Sequence, residues 1–260
     1  MIVLPDPTWD SVAVEAIAEK LDKRKRHSWR LQSGKIFFKH RRAEYHLKAA
    51  RQTVREMVDA MQPAPVTASV EDPVNSSYFG PLTEPLFFHL DGFLEATRSA
   101  HDAVMDFLIS AEVVPHDSPH SINAFVKRIN NTPDRSRTNP VVVAGLLANF
   151  WEETGTRAKN YRDCFTHHVT LADPTWSHSV GMVSLGGAWL PHVPWPDNPV
   201  ADSDAKFNFE GRLDAIAYCA DTHEKSDKFL RHLTKQCLVK WDVGAVLENE
   251  FVLANVRIGG

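Results

Sequence analysis

Between Thr83 and Glu112 the chain sets Leu86, Leu90, Phe93, Thr97, Ala100, Val104, Phe107 and Ala111 in steps that alternate four and three. That spacing follows the turn of an α-helix, so these side chains fall in one line along one face. A strand repeats every two residues and throws neighbours to opposite faces, so the segment cannot be one. The spacing predicts a single helix over 83–112 whose apolar seam other helices must cover, as in a bundle. Pro85 fits the first turn. Asp117-Ser118 with Pro115 and Pro119 ends the segment.

Similar reasoning lays out the rest. Asp6-Pro7 opens a helix with Trp9, Val12, Ala13, Ala16, Ile17 and Leu21 at helical spacing. Ser33-Gly34 reads as a turn, and a second helix is expected over 42–61 with Tyr45, Ala49, Val54 and Val58 inward. The proline-rich stretch 62–85 reads as a long loop. A short helix covers 122–129. A long one covers 140–171, capped by Asn139 and lined by Val143, Leu147, Phe150, Thr154, Tyr161 and Phe165. Asp173-Pro174 stops it. In 174–211 prolines and glycines accumulate, and 180–190 reads as a strand bulged at Gly186-Gly187 with 206–210 as its partner. A last helix is expected over 212–239, with Leu213, Ile216, Ala217, Ala220, Phe229, Leu230 and Leu233 inward, and a terminal strand over 250–257. The expectation is a mainly α fold: an antiparallel helical bundle over 41–240 with a small β element, insertion 174–211, in its C-terminal half. A basic helical extension (1–40) precedes it and a strand or tail (241–260) follows.

Composition narrows the function classes. With 260 residues and 43% hydrophobic content the chain can bury a core without staples. The net charge is −4, which disfavours a protein that coats nucleic acid non-specifically. Cys164, Cys219 and Cys237 are too scattered for a disulfide framework or a zinc ribbon. The opening Met-Ile-Val-Leu-Pro-Asp-Pro lacks the basic and apolar regions of a secretory signal, and no apolar run reaches about eighteen residues. A cytoplasmic chain that does not enter a membrane is expected. The charge is uneven: residues 1–55 carry +7 and the remainder −11. The densest basic run is Lys23-Arg24-Lys25-Arg26. It reads either as the solvated C-terminal end of a helix or as a phosphate-binding patch.

The chemistry-bearing segment is Tyr161-Arg162-Asp163-Cys164-Phe165-Thr166-His167-His168. RNA cleavage by the 2′-hydroxyl needs a group that takes its proton, and histidine titrates in the useful range. It also needs positive charge on the phosphate in the transition state, which a planar guanidinium supplies. Arg162 and His167, five residues apart, point about 140° apart on an ideal helix. They converge only if the helix ends or kinks between them, or if two subunits bring two copies together.

Arg162 to His167 resembles the Arg-x4–6-His motif of HEPN domains, the helical domains named for higher eukaryotes and prokaryotes nucleotide-binding. Asp163 fits the second place of its commonest form. The context is similar too: a long helix carrying Asp91, Arg98, Ser99 and Asp102 precedes a second long helix that ends in the motif. The resemblance covers about 40–240 as a helical pattern and six residues as a motif. It implies a metal-independent endoribonuclease or RNA-binding protein whose site forms across a homodimer, with His167 as general base, Arg162 on phosphate and Asp163 orienting one of them. RNA and a second copy are then the expected partners, with no cofactor. Tails at both ends and the β insertion depart from the pattern. Apart from the resemblance, the polar stripe Asp91, Glu95, Arg98 and Asp102, in steps of four and three, reads either as a solvated helix edge or as groups that position Arg162.

Two other classes compete. In a non-catalytic helical interaction module, Arg162 merely pairs with Asp102 or Asp91 on the neighbouring helix. In a metal-dependent hydrolase, ligands come from Asp163, His167, His116, His120, His178 or His192, although none has the spacing of H-E-x-x-H. Gly186-Gly187 is no phosphate-cradling loop. Trp176, Trp189 and Trp195 read as a lid packed on the bundle, a stacking platform for bases or a dimer contact.

Overall fold

The computed structural model describes residues 11–61, 74–78, 80–131, 140–167, 180–185, 188–200 and 206–243. The fold is mainly helical: α1 (Ser11–Lys20), α2 (Lys23–Met61), α3 (Thr83–Asp102), α4 (Val104–Ser110), α5 (Ile122–Asn130), α6 (Pro140–Phe150), α7 (Thr156–His167) and α8 (Ala215–Lys240). A π-helical turn, Trp151–Gly155, joins α6 to α7. A Cβ on Gly155 would lie 2.6 Å from the Trp151 ring, so any larger residue there would have to displace that ring.

The apolar seam from Leu86 to Ala111 is buried throughout. The helix carrying it breaks once, at Ala103, so it is α3 and α4 in place of one rod. The inward residues expected of 140–171 are buried as well. Residues 168–171 lie outside the described residues, as do 1–10, Trp176, His178, Gly186-Gly187 and the expected strand 250–257.

Several expectations are corrected. Ser33-Gly34 is no turn: α2 runs straight through it. The buried face of α2 is Trp29, Ser33, Ile36, His40, Ala43, Leu47, Ala50, Val54 and Met57, again in steps of four and three. Its apolar pattern is broken by Ser33 and His40, which hides the continuity. Tyr45 faces solvent and Leu47 takes the inward place. The run Lys23–Arg26 opens α2 and does not close a helix. The expected strand 180–190 is two strands, β2 (Val180–Leu185) and β3 (Ala188–His192), and β2 pairs on its other edge with β1 (Val74–Tyr78), from a segment read as loop. Both pairings are antiparallel, with Ser76 opposite Met182 and Val183 opposite Leu190. Residues 207–209 form no strand. Instead β4 (Pro194–Trp195) pairs with β5 (Leu213–Asp214). Asp214 then caps α8, its carboxylate accepting from the Ala217 amide at 2.8 Å. On α8 the inward face holds Ala215, Cys219, Thr222 and Ser226 ahead of Phe229, Leu230, Leu233 and Cys237, while Ala217 faces solvent.

The chain divides into two compact units. The first unit takes 1–40, 99–155 and 225–260. Its core gathers Ile17, Trp29, Ile36, Phe107, Phe125, Leu147 and Leu230. Trp29 is fully buried, donates its indole N–H to the Val14 carbonyl at 2.8 Å and packs on Phe107. The Phe150 and Phe229 rings stack 3.8 Å apart. The second unit takes 41–98 and 156–224. There Leu47, Leu86, Leu90 and Phe93 pack with Val180, Met182, Trp189 and Trp195. Trp189 and Trp195 are therefore core residues, the packing alternative for the tryptophan-rich stretch. None of the described helices is long and apolar enough to cross a membrane.

Candidate functional site

Helix α7 carries the motif within the second unit. Tyr161, Cys164 and Phe165 face the core. Tyr161 donates its hydroxyl to the Pro196 carbonyl and packs against Trp195 and Tyr218. Three anchored side chains on one face leave Arg162, Asp163 and Thr166 at the edge of the helix, half-buried to exposed.

Arg162 meets Glu95 of α3. Its Nε donates to Glu95 Oε1 at 2.9 Å, and its Nη1 donates to Asp163 Oδ1 at 3.0 Å. The Thr166 hydroxyl donates to the same Glu95 oxygen at 3.1 Å. Lys159 donates to Asp163 Oδ2 at 2.6 Å. Two cations and two carboxylates thus alternate along one edge of α7. Partial burial works against the charge on Arg162, but the Asp163 and Glu95 carboxylates outweigh it and raise its pKa. Burial likewise disfavours the Asp163 carboxylate, yet hydrogen bonds from Lys159 and Arg162 prevail and lower its pKa. Asp91, one turn before Glu95, is pushed up by burial and by the Glu95 charge, against the pull of Arg162.

The partner of Arg162 is therefore Glu95, where Asp102 or Asp91 was expected. The polar stripe Asp91, Glu95, Arg98 and Asp102 is visible in the sequence, but it does not reveal which carboxylate reaches across. Lys159 and Thr166 were missed. Their signal was the four-residue step from Lys159 to Asp163 and from Arg162 to Thr166. Arg98 and Asp102 both lie on α3.

His167 is exposed at the last position of α7. The helix stays α-helical from Arg162 to His167, so one copy does not bring the two onto one face. Among the described residues, Arg162 Nη2 and the His167 ring take no hydrogen bond. Cys164 is buried core.

Of the basic run, Arg26 turns back on α1, donating Nε to the Leu21 carbonyl at 2.9 Å and Nη2 to the Glu19 carbonyl at 3.2 Å. It thus complements the C-terminal end of α1. Lys25 pairs with Glu112. Lys23 and Arg24 stay exposed. No group of three or more His, Cys, Asp and Glu residues converges among the described residues. His120 hydrogen-bonds Asp106 in place of joining His116. The chain matches no family model, no curated protein and no solved structure.

Proposed function

We propose that the chain is a HEPN-like RNA-binding protein and metal-independent endoribonuclease whose site is completed by a second copy. The observation that carries the reading is the mounting of Arg162. Glu95 and Asp163 fix two of its donors at a half-buried edge and leave Nη2 unshared among the described residues. A guanidinium held in this way meets a phosphate without first being ordered, which is what transition-state stabilisation asks of it. His167 stands exposed on another side of the helix, so the two groups act on one phosphate only when two α7 helices face each other. His167 of one copy takes the proton of the 2′-hydroxyl. The 2′-oxygen bonds to phosphorus as the bond to the 5′-oxygen breaks, and the second copy's histidine protonates that leaving oxygen. Phe88 on α3 and Tyr45 on α2 are exposed in the same unit and supply apolar area for such a contact.

A specific observation favours a second reading. Two donors of Arg162 already sit on carboxylates, which is also what an interhelical clamp in a non-catalytic module looks like. The experiment that separates them incubates the purified full chain with single-stranded RNA in a chelating buffer. The proposed function gives fragments ending in 2′,3′-cyclic phosphate. The clamp reading gives intact RNA together with a lower melting temperature for Arg162→Ala.

A further inference from the structure

The first unit holds a cleft of about 800 Å³, a size typical of small-molecule sites. It opens between the first turns of α2, the end of α4 with the turn after it, and the last residue of α8. Part of its wall is apolar, from Ile109, Val113 and Val114. Its charged lining is asymmetric. The two carboxylates present, Asp106 and Glu112, are already engaged by His120 and Lys25. Arg24 and Lys240 line the same cleft and make no ion pair among the described residues. One more group is unsatisfied there: Gln32 Oε1 is buried and accepts no hydrogen bond among the described residues. A buried acceptor left without a donor costs free energy, so this oxygen favours whatever brings a donor to it.

We propose that this cleft binds a small organic phosphate. Two unpaired cations match the dianion of a phosphate monoester better than the single charge of a carboxylate. The apolar wall takes a flat or aliphatic body, and Gln32 Oε1 accepts a hydrogen bond from a hydroxyl or amine on that body. Of the basic run Lys23-Arg24-Lys25-Arg26, read from the sequence as a phosphate-binding patch, only Arg24 and Lys25 line the cleft. The cleft belongs to the first unit, whereas Arg162 and His167 belong to the second.

The test uses the full chain and three probes: 4-aminophenyl phosphate, phenyl phosphate and inorganic phosphate. Calorimetric titration should show both aryl phosphates binding at least tenfold more tightly than inorganic phosphate, with the amino compound the tightest. Arg24→Gln with Lys240→Gln should weaken both at least tenfold, while the melting temperature without ligand stays where it was, because both side chains are solvated. Gln32→Leu should abolish the advantage of the amino group alone. Should the double variant fail to fold, Lys240→Gln by itself is read in the same way. Equal affinity for inorganic phosphate and aryl phosphate, or unchanged affinity in the cation variants, would overturn the proposal. So would binding of single-stranded RNA with no aryl phosphate bound at all.

Discussion

The guanidinium of Arg162 is fixed from two sides, and the strength of that fixing can be bounded. Its side chain and that of Glu95 keep about a third of their surface in water, with 29% and 33% exposed. The pair therefore stabilises less than a fully buried one, and the carboxylates left behind by Arg162→Ala regain hydration. The loss should be about 1–2 kcal/mol, or roughly 2–8 °C in melting temperature for a chain of this size. His167→Ala, at an exposed helix end, should change the melting temperature by no more than about 1–2 °C. Differential scanning calorimetry checks both, and equal losses would mean that His167 is structural too. A second histidine makes a pH prediction. His46 of α2 and His89 of α3 place their Nδ1 atoms 3.3 Å apart, so one neutral ring donates to the other. Burial, then Arg42 and His89, lowers the pKa of His46 below its ordinary value near 6.5. The unfolded chain then takes up protons that the folded one refuses. Stability from this site is present above about pH 6.5 and is lost as pH falls through the depressed folded pKa. Between pH 7 and 5 the melting temperature of the wild type should drop more steeply than that of His46→Gln, and parallel slopes would count against the pair. Gly92 lies close beside it: a Cβ there would sit 2.5 Å from the His46 ring, so Gly92→Ala should shift that ring and disturb its contact with His89.

Along the elements, α2 offers the sharpest test. Gly34 lies inside it and a Cβ there would meet nothing within 4 Å. Gly34→Ala should therefore stabilise the protein by about 0.5–1 kcal/mol through helix propensity alone, seen as a raised melting temperature. A real turn at Ser33-Gly34 would give no gain. The same helix explains what was legible in the sequence. The seam from Leu86 to Ala111 and the face from Val143 to Phe165 were readable because they are written almost wholly in apolar residues. The faces of α2 and α8 have the same spacing, but Ser33, His40, Thr222 and Ser226 occupy inward places. Two of them find partners inside: His40 reaches Asp227 at 3.3 Å and Ser226 reaches His101 at 3.0 Å, while the buried Ser33 hydroxyl has none among the described residues. Such partners lie far away in sequence, so the local pattern does not announce them. Strand β1 was hidden for a like reason. Val-Asn-Ser-Ser-Tyr has little strand character alone and is fixed by its ladder with β2. The candidate site divides the same way: Arg162, Asp163 and His167 were visible as a motif, while the choice of Glu95 over Asp91 rests on how two distant helices pack.

At the scale of the whole molecule the central claim is that one chain holds the parts of a ribonuclease site and two chains assemble it. Light scattering at micromolar concentration should give about 59 kDa, twice the 29.3 kDa of one chain, and a single species of one chain's mass would remove the assembly step. Tyr45→Glu with Phe88→Glu, at exposed positions of the second unit, should shift that equilibrium towards single chains and reduce any cleavage in proportion. The most direct measurement is the cleavage of end-labelled single-stranded RNA in a chelating buffer by the wild type, Arg162→Ala and His167→Ala, purified side by side. The account predicts that the wild type cuts the RNA and that each variant loses about 10² to 10⁴ of the rate, with His167→Ala as thermally stable as the wild type. RNA left intact by the wild type, or cut equally well by His167→Ala, would contradict it.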